Sequence, residues 1–300
     1  MLYIAFDPLY ELSLPDGHRF PMLKYRLIPE QLVYEGTVTE AHFFRPTMPE
    51  DSLFETVHAQ EYLRRMNQLA LSPQEMRKIG FPLSEALIAR EKVIMNGTWL
   101  CAKYALVHGV SMNVAGGTHH AFRNRGEGFC LLNDIAVAAG QLLKLKLAKK
   151  ILVIDLDVHQ GNGTAEIFRN ENRVFTFSVH GQNNYPAQKE KSDWDIPLPN
   201  GVDDRTYLEL LDRTLPELFE KTNPDFVFYQ SGVDVLATDR LGKFSLTLQG
   251  CRERDKKVLL LCKYNKIPIV ASMGGGYSER IATIVEAHAN TFRLAQEIFF

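Results

Sequence analysis

The stretch ILVIDLDVHQGNG, residues 151–163, decides how this sequence folds. Its first half, ILVIDLD, is mostly apolar, which predicts a strand buried on both faces, as in parallel sheets. Asp155, Asp157 and His159 follow one another at intervals of two residues, a spacing that places side chains on one face of a strand. Because a parallel sheet needs helices on both faces, the stretch predicts an α/β protein with a polar cluster at a strand end.

The rest of the chain repeats this pattern, after eighty residues that read as loops and short helices. Further strands are predicted at the N-terminus, over Val110–Ala115, in RVFTFSV from Arg173, in DFVFYQ from Asp225 and in IPIVASM. Helices are predicted over residues 84–108, 133–147, 204–221, 248–265 and 278–299, the third bent or interrupted near Pro216. We therefore expect a three-layer α/β/α sandwich around a central, mostly parallel sheet. A single domain over residues 1–300 is favoured over two.

The composition narrows the class of partner. Acidic and basic residues nearly balance, with a net charge of −2, which argues against direct binding of nucleic acid. No apolar run reaches about 18 residues, so we expect no membrane span. The N-terminus lacks the features of a signal peptide, and the four cysteines form no CxxC pair. Together these features predict a cytoplasmic protein with reduced thiols.

Four polar segments each follow a predicted strand. GGTHH follows the strand that ends at Ala115, and DLDVHQGN lies on and after the strand from Ile151. QSGVD follows the strand that ends near Tyr229, and GGGY follows the one that ends near Met273. Ligands of open α/β sheets bind beyond the carboxyl ends of the strands. The four segments are therefore predicted to form one site.

Two of these segments supply the ligands of a candidate metal site. Asp157 and His159 lie together in the sequence, and Asp234 would arrive from a neighbouring strand end. Converging carboxylates are costly to bury unless a positive charge lies between them. Two carboxylates and one histidine leave an open coordination position, as in catalytic zinc sites, although iron, cobalt and manganese fit the same set. The alternative is that these side chains cap a helix or a turn.

The other two segments supply groups that move protons and stabilise charge. Histidine exchanges protons near neutral pH, so His119 and His120 fit the roles of general base and general acid. Tyr277 is placed to donate a hydrogen bond to a developing oxyanion. Each segment alone has a plainer explanation: two histidines at a strand end, or a glycine-rich turn that binds phosphate.

Five motifs in fixed order resemble the zinc-dependent histone deacetylase family: GGTHHA, GFCLLND, IDLDVHQGNGT, SGVDVLATDRLG and GGGY. The resemblance covers roughly residues 1–295. The asparagine in DVHQGN and the opening LPDGHRFPMLKY are closest to class IV deacetylases and their bacterial relatives. The resemblance implies the arginase/deacetylase fold and zinc-dependent removal of acetyl or longer acyl groups from lysine ε-amines, in a protein, a peptide or a small acylated amine.

The resemblance also assigns a role to individual residues. It makes Asp157, His159 and Asp234 the zinc ligands, His120 the main general base and acid, and Tyr277 the group that polarises the carbonyl. His119 would pair with Asp155, and Asn162 would stand behind His120. The residues expected to line the acyl-lysine tunnel are Gly128, Phe129, Tyr185 and Gly275, with Arg19 near the tunnel base. The residues expected to hold a potassium ion are Asp155, Asp157, His159, Ser178 and Val179.

Three rival functions remain open to different degrees. A ureohydrolase with two manganese ions needs a further carboxylate, as in D-x-H-x-D, where this chain has Gly161. An acetylpolyamine amidohydrolase shares the zinc machinery and differs only in the loops of the entrance. A catalytically silent module that binds acyl-lysine would have lost a metal ligand or Tyr277, and all of these are present. Acyl-chain length and oligomeric state are left undetermined.

Overall fold

The computed structural model describes all residues, 1–300, and contains one eight-stranded sheet. The strands are β1 (Tyr3–Ala5), β2 (Phe43–Phe44), β3 (Val110–Asn113), β4 (Ile151–Asp155), β5 (Val174–Gly181), β6 (Trp194–Leu198), β7 (Phe226–Gln230) and β8 (Ile269–Ser272). Their order is β2-β1-β3-β8-β7-β4-β5-β6, and every neighbouring pair is parallel. The predicted parallel sheet is thus confirmed.

Nine α-helices flank the sheet, which confirms the predicted α/β/α architecture. They are α1 (Lys24–Tyr34), α2 (Gln60–Asn67), α3 (Pro73–Ile79), α4 (Glu85–His108), α5 (Asp134–Lys144), α6 (Asn162–Phe168), α7 (Asp204–Thr222), α8 (Leu248–Asn265) and α9 (Ile281–Phe299). The four central strands β3, β4, β7 and β8 are buried along their whole length, because helices cover both faces. No helix is both long and apolar enough to cross a membrane.

The register of the central strands brings their carboxyl ends to one level. Asp155 at the end of β4 pairs with Ser178 on β5 and with Gln230 at the end of β7. Gln230 pairs in turn with Ser272 at the end of β8, which pairs with Asn113 at the end of β3. The four polar segments that follow these strands therefore start side by side.

Three local features differ from the predictions. Strand β4 ends at Asp155, so Asp157 and His159 belong to the turn after the strand and not to its face. Helix α7 is continuous through the exposed Pro216, so the interruption is absent, while the alternative of a bend stays a prediction. The edge strands β2 and β6 were not predicted, since the first has two residues and the second contains Pro197, which an edge strand tolerates.

Candidate active site

Asp157, His159 and Asp234 converge beyond the ends of β4 and β7. All three are buried, and their ligand atoms lie within 4.8 Å of one another. His159 Nδ1 is 3.1 Å from Asp157 Oδ1 and 3.0 Å from Asp234 Oδ2. Burial alone would lower the pKa of His159, but the carboxylates of Asp234 and Asp157 raise it to about 10. The cluster thus attracts positive charge, and its two carboxylates and imidazole fit a divalent cation.

Backbone groups fix the two carboxylates of this cluster. Gly275 N–H donates to Asp157 Oδ2 at 2.9 Å, and Val158 N–H donates to Asp234 Oδ1 at 3.0 Å. A β-carbon at position 275 would lie 2.0 Å from Asp234 Oδ2, which is closer than any side chain allows. The glycine of GGGY is therefore required so that the backbone can approach both carboxylates.

The two adjacent histidines have different partners. His119 Nδ1 lies 2.7 Å from Asp155 Oδ2, whereas His120 Nδ1 lies 2.6 Å from Asn162 Oδ1. Both are buried, and their ring centroids are 4.1 Å apart. Because the amide oxygen of Asn162 only accepts hydrogen bonds, His120 carries its proton on Nδ1 and keeps Nε2 free to take up another.

The two histidines also differ in pKa, because their charged neighbours differ. Burial lowers the pKa of His119, but the negative charges of Asp155 and Asp157 outweigh it and raise the pKa to about 9. Burial holds the pKa of His120 well below its usual value of 6.5, and the neighbouring His119 and His159 lower it further. At neutral pH His119 is therefore charged and His120 is neutral, the state that a general base requires.

A surface cavity of about 800 Å³ extends inward as a channel to His120, His159 and Tyr277. Phe129 and Tyr185 line it, and the Tyr185 ring stands edge-on to His120 with centroids 5.0 Å apart. Gly128 borders the same channel, and a β-carbon there would lie 2.8 Å from the His120 ring. Tyr277 lines the channel next to His120 and His159. Its backbone N–H donates to Asp239 Oδ2 at 2.6 Å, which fixes the end of the glycine-rich turn.

The residues predicted to hold potassium lie beside the metal cluster. Ser178 and Val179 are buried on β5, and Ser178 pairs with Asp155 across the sheet. Asp155 Oδ1 accepts from Asp157 N–H at 3.2 Å, and Ser178 Oγ lies 2.9 Å from His180 Nδ1. These residues are adjacent, and the potassium site stays a prediction.

The basic residue near the base of the channel is Lys24, not Arg19. Arg19 is exposed at the mouth, where its guanidinium lies 5.0 Å from the centroid of the Phe129 ring. Lys24 is fully buried, and its Nζ donates to Gly274 O at 3.0 Å. Burial lowers its pKa to about 8. Lys24 therefore supports the glycine-rich turn from inside, a role that LPDGHRFPMLKY does not reveal, because helical spacing alone does not show which cation is buried.

Asp134 is a second supporting residue that the sequence did not single out. Its Oδ1 accepts from the Thr118 N–H at 2.9 Å and from the Thr118 hydroxyl at 3.0 Å. Its Oδ2 accepts from the Thr98 and Ser272 hydroxyls at 2.7 and 2.9 Å. Asp134 thus connects the GGTHH turn to the end of β8. The motif GFCLLND contains it, and a carboxylate at the predicted start of a helix was the available signal.

Fold and site together define an α/β protein with a candidate metal centre at the carboxyl ends of a parallel sheet. Residues 18–292 match the histone deacetylase domain. An uncharacterised protein of Picosynechococcus sp. is 41% identical over 296 residues, which cover 99% of each chain. Histone deacetylase 2 of Arabidopsis thaliana is 28% identical over 295 residues, 94% of this chain and 76% of that protein. This chain therefore belongs to the histone deacetylase family.

Solved structures share the fold. A histone deacetylase homologue from Aquifex aeolicus superposes with a TM-score of 0.84 at 22% identity, covering 98% of this chain and 84% of that one. The HDA15 HD domain superposes with a TM-score of 0.83 at 23% identity, covering 98% and 90%. The family membership supports a deacetylase, and hence a hydrolase, activity for this chain.

Proposed function

We propose that this chain is a zinc-dependent hydrolase that removes acetyl or longer acyl groups from lysine ε-amines. One observation carries the proposal: a buried cluster of Asp157, His159 and Asp234 adjoins a neutral histidine at the end of a channel. A channel lined by Phe129 and Tyr185 suits the apolar stem of an acylated lysine, and its polar inner end at His120 and His159 suits the amide.

Asp157, His159 and Asp234 would hold the zinc ion, which polarises an amide carbonyl and lowers the pKa of water. His120 Nε2 accepts a proton from the attacking water, because Asn162 keeps the other ring proton on Nδ1. The same nitrogen then returns the proton to the leaving amine. The Tyr277 hydroxyl donates a hydrogen bond to the carbonyl oxygen, where negative charge develops. His119 stays charged beside Asp155 and keeps the His120 pKa low.

Three further expectations from the sequence remain proposals. One cluster contains 81 of the buried hydrophobic residues, which supports a single domain over residues 1–300. Potassium would be bound next to Asp155 as described above. A cytoplasmic location rests on the sequence features alone.

The structure weakens the case for a ureohydrolase with two manganese ions. A second bridging carboxylate would have to stand at Gly161, where even a β-carbon would lie 2.2 Å from Asp155 Oδ2 and 3.2 Å from His119 Nδ1. The pair of His119 and Asp155 fills the space that this side chain would need. One metal centre therefore suits this site better than two.

The test measures turnover of acetyl-, octanoyl- and myristoyl-lysine peptides by protein of known zinc content. We expect hydrolysis of at least one peptide, one zinc ion per chain, and inhibition by a hydroxamate. Zinc-loaded protein that binds acyl-lysine peptides without hydrolysing them would show a silent binding module instead. Protein that neither binds zinc nor responds to hydroxamate would contradict the proposal as a whole.

A further inference from the structure

The cavity at the mouth of the channel is strongly basic, although the chain carries a net charge of −2. We call the following five side chains that line it the basic mouth: Arg19, Arg77, Lys78, Arg125 and Lys243. They come from separate parts of the chain, including the N-terminal loop, the end of α3 and the loop before α8. Only two carboxylates, Glu127 and Glu190, line the same cavity.

Both carboxylates of the mouth are already paired. Glu127 accepts from Arg125 Nε at 2.9 Å and from the Tyr185 hydroxyl at 2.8 Å. Glu190 forms an ion pair with Arg169. By contrast, no carboxylate oxygen lies within 4.0 Å of the four remaining cations, which are Arg19, Arg77, Lys78 and Lys243. All four are exposed, so their charge faces whatever occupies the mouth.

Backbone contacts fix two of these cations relative to the channel. Gly128 N–H donates to Lys78 O at 2.9 Å, so the end of α3 is joined to the channel wall. Lys243 Nζ donates to Asn183 O at 2.7 Å, and Asn184 Nδ2 donates to Leu241 O at 2.8 Å. The positive charge therefore surrounds the entrance at defined positions.

We propose that the basic mouth selects acyl-lysines whose neighbouring residues are acidic and disfavours acylated polyamines. This inference rests on the proposed deacylase function. An acylated amine that reaches His120 leaves the rest of its molecule in the mouth, among the cations. Charges closer together than the Debye length of about 8 Å still interact at physiological salt. Acidic neighbours are attracted there. A polyamine brings its remaining ammonium groups to the same place, where they are repelled.

The experiment compares kcat/KM for three acetyl-lysine peptides that differ only in flanking glutamates, glutamines or lysines, together with N8-acetylspermidine. At low salt we expect the glutamate peptide to exceed the lysine peptide by about tenfold, since each exposed charge pair contributes up to about fivefold. The preference should shrink at 0.5 M salt, because the Debye length falls from about 10 Å at 0.1 M to below about 5 Å. Acetylspermidine should react more slowly than the glutamine peptide.

A matched pair of variants locates the effect. R77Q/K78Q removes two cations of the mouth, and K149Q/K150Q removes two exposed lysines next to the start of β4, at the opposite end of the sheet. The ratio of kcat/KM between the glutamate and lysine peptides should fall by about fivefold in R77Q/K78Q and stay at the wild-type value in K149Q/K150Q.

Three results would overturn the inference. Equal kcat/KM for the three peptides in the wild type is one, and an equal fall of the ratio in both variants is another. Stronger inhibition by a short RNA than by a polyglutamate peptide of equal charge is the third, because it would assign the mouth to nucleic acid. Absence of turnover with every acylated substrate would instead contradict the underlying deacylase proposal.

Discussion

Two buried charged clusters lie against the ends of β4 and β7, and they differ in charge balance. The first is the candidate metal cluster, in which two carboxylates face one imidazole at the end of a channel. The second lies behind it, where Arg254 and Asp255 on α8 are both fully buried. Arg254 Nε donates to Asp255 Oδ1 at 2.8 Å, and Thr291 Oγ1 donates to Asp255 Oδ2 at 2.6 Å. The second cluster has one charge of each sign.

This difference in charge balance distinguishes a candidate binding site from a structural ion pair. Buried charges are tolerated when they are paired and their remaining polar atoms are hydrogen-bonded, as in the second cluster. The first cluster lacks that balance and faces a cavity, as expected of a site that binds a cation. An imbalance of this kind is a better indicator of a functional site than burial or charge alone.

The two clusters are also connected. Arg254 donates hydrogen bonds to Leu156 O at 3.1 Å and to Gly232 O at 2.6 Å. Leu156 precedes Asp157 directly, and Gly232 is two residues before Asp234. Arg254 therefore positions the backbone that carries two of the three candidate metal ligands, without contacting the ligand atoms themselves.

The largest effect is expected from Asp234→Asn in the first cluster. Loss of one of two carboxylates should abolish stoichiometric zinc binding and lower kcat/KM by about a thousandfold or more, because the negative charge that attracts the cation is halved. Metal analysis and peptide turnover measure both. A variant that retains one zinc ion per chain and wild-type turnover would remove Asp234 from the metal site.

The same substitution should stabilise the metal-free protein. Burial, with Asp157 nearby, raises the pKa of Asp234 to about 7, so its ionisation opposes folding as the pH rises from about 4 to 7. In metal-free protein at pH 8, Asp234→Asn should therefore raise the free energy of unfolding by about 1 kcal/mol. A fall in that free energy, measured by urea unfolding with a chelator present, would mean that the carboxylate is structural, like Asp255.

Arg254→Met should have the opposite consequence in the second cluster. Removing the cation leaves Asp255 buried without its partner, so the free energy of unfolding should fall by about 3–5 kcal/mol. The double variant R254M/D255N should recover part of this loss, because no unpaired charge remains. A single variant as stable as the wild type, in urea unfolding, would show that water compensates Asp255.

Tyr277→Phe should reduce turnover and leave the metal centre intact. In the proposed reaction this hydroxyl donates a hydrogen bond to the carbonyl oxygen, and loss of one such donor lowers kcat by about 10²–10³-fold. Zinc content should stay at one per chain, since the three candidate ligand residues are positioned by hydrogen bonds that do not involve this hydroxyl. Full activity of this variant would show that Tyr277 has no role in the reaction.

Much of the fold and of the site followed from the sequence, for a specific physical reason. Central strands such as β4 and β7 are apolar throughout, and their carboxyl ends share one edge of the sheet, so their polar ends converge. The supporting residues were not predictable in this way. Arg254 lies in CRERDKK, which reads like an exposed face of a helix, and only the packing of α8 against the sheet shows that it is buried.

The smallest expected effect concerns His119 and His120, the two histidines beside the first cluster. His119 has a carboxylate partner and a pKa of about 9, whereas His120 has the Asn162 amide and a pKa well below 6.5. Asn162→Asp should therefore raise the His120 pKa, because a carboxylate stabilises the imidazolium more than an amide does.

The proposed reaction needs neutral His120 as general base, so a higher pKa should move the acidic limb of the pH dependence of kcat/KM upward by about one pH unit. Asn170→Asp places the same charge on an exposed residue after α6 and should leave this limb in place. If the two variants gave the same profile, His120 would not be the group whose protonation limits the reaction. A shift confined to Asn162→Asp would show that the Asn162 amide keeps His120 neutral, in contrast to the Asp155 carboxylate, which raises the pKa of His119.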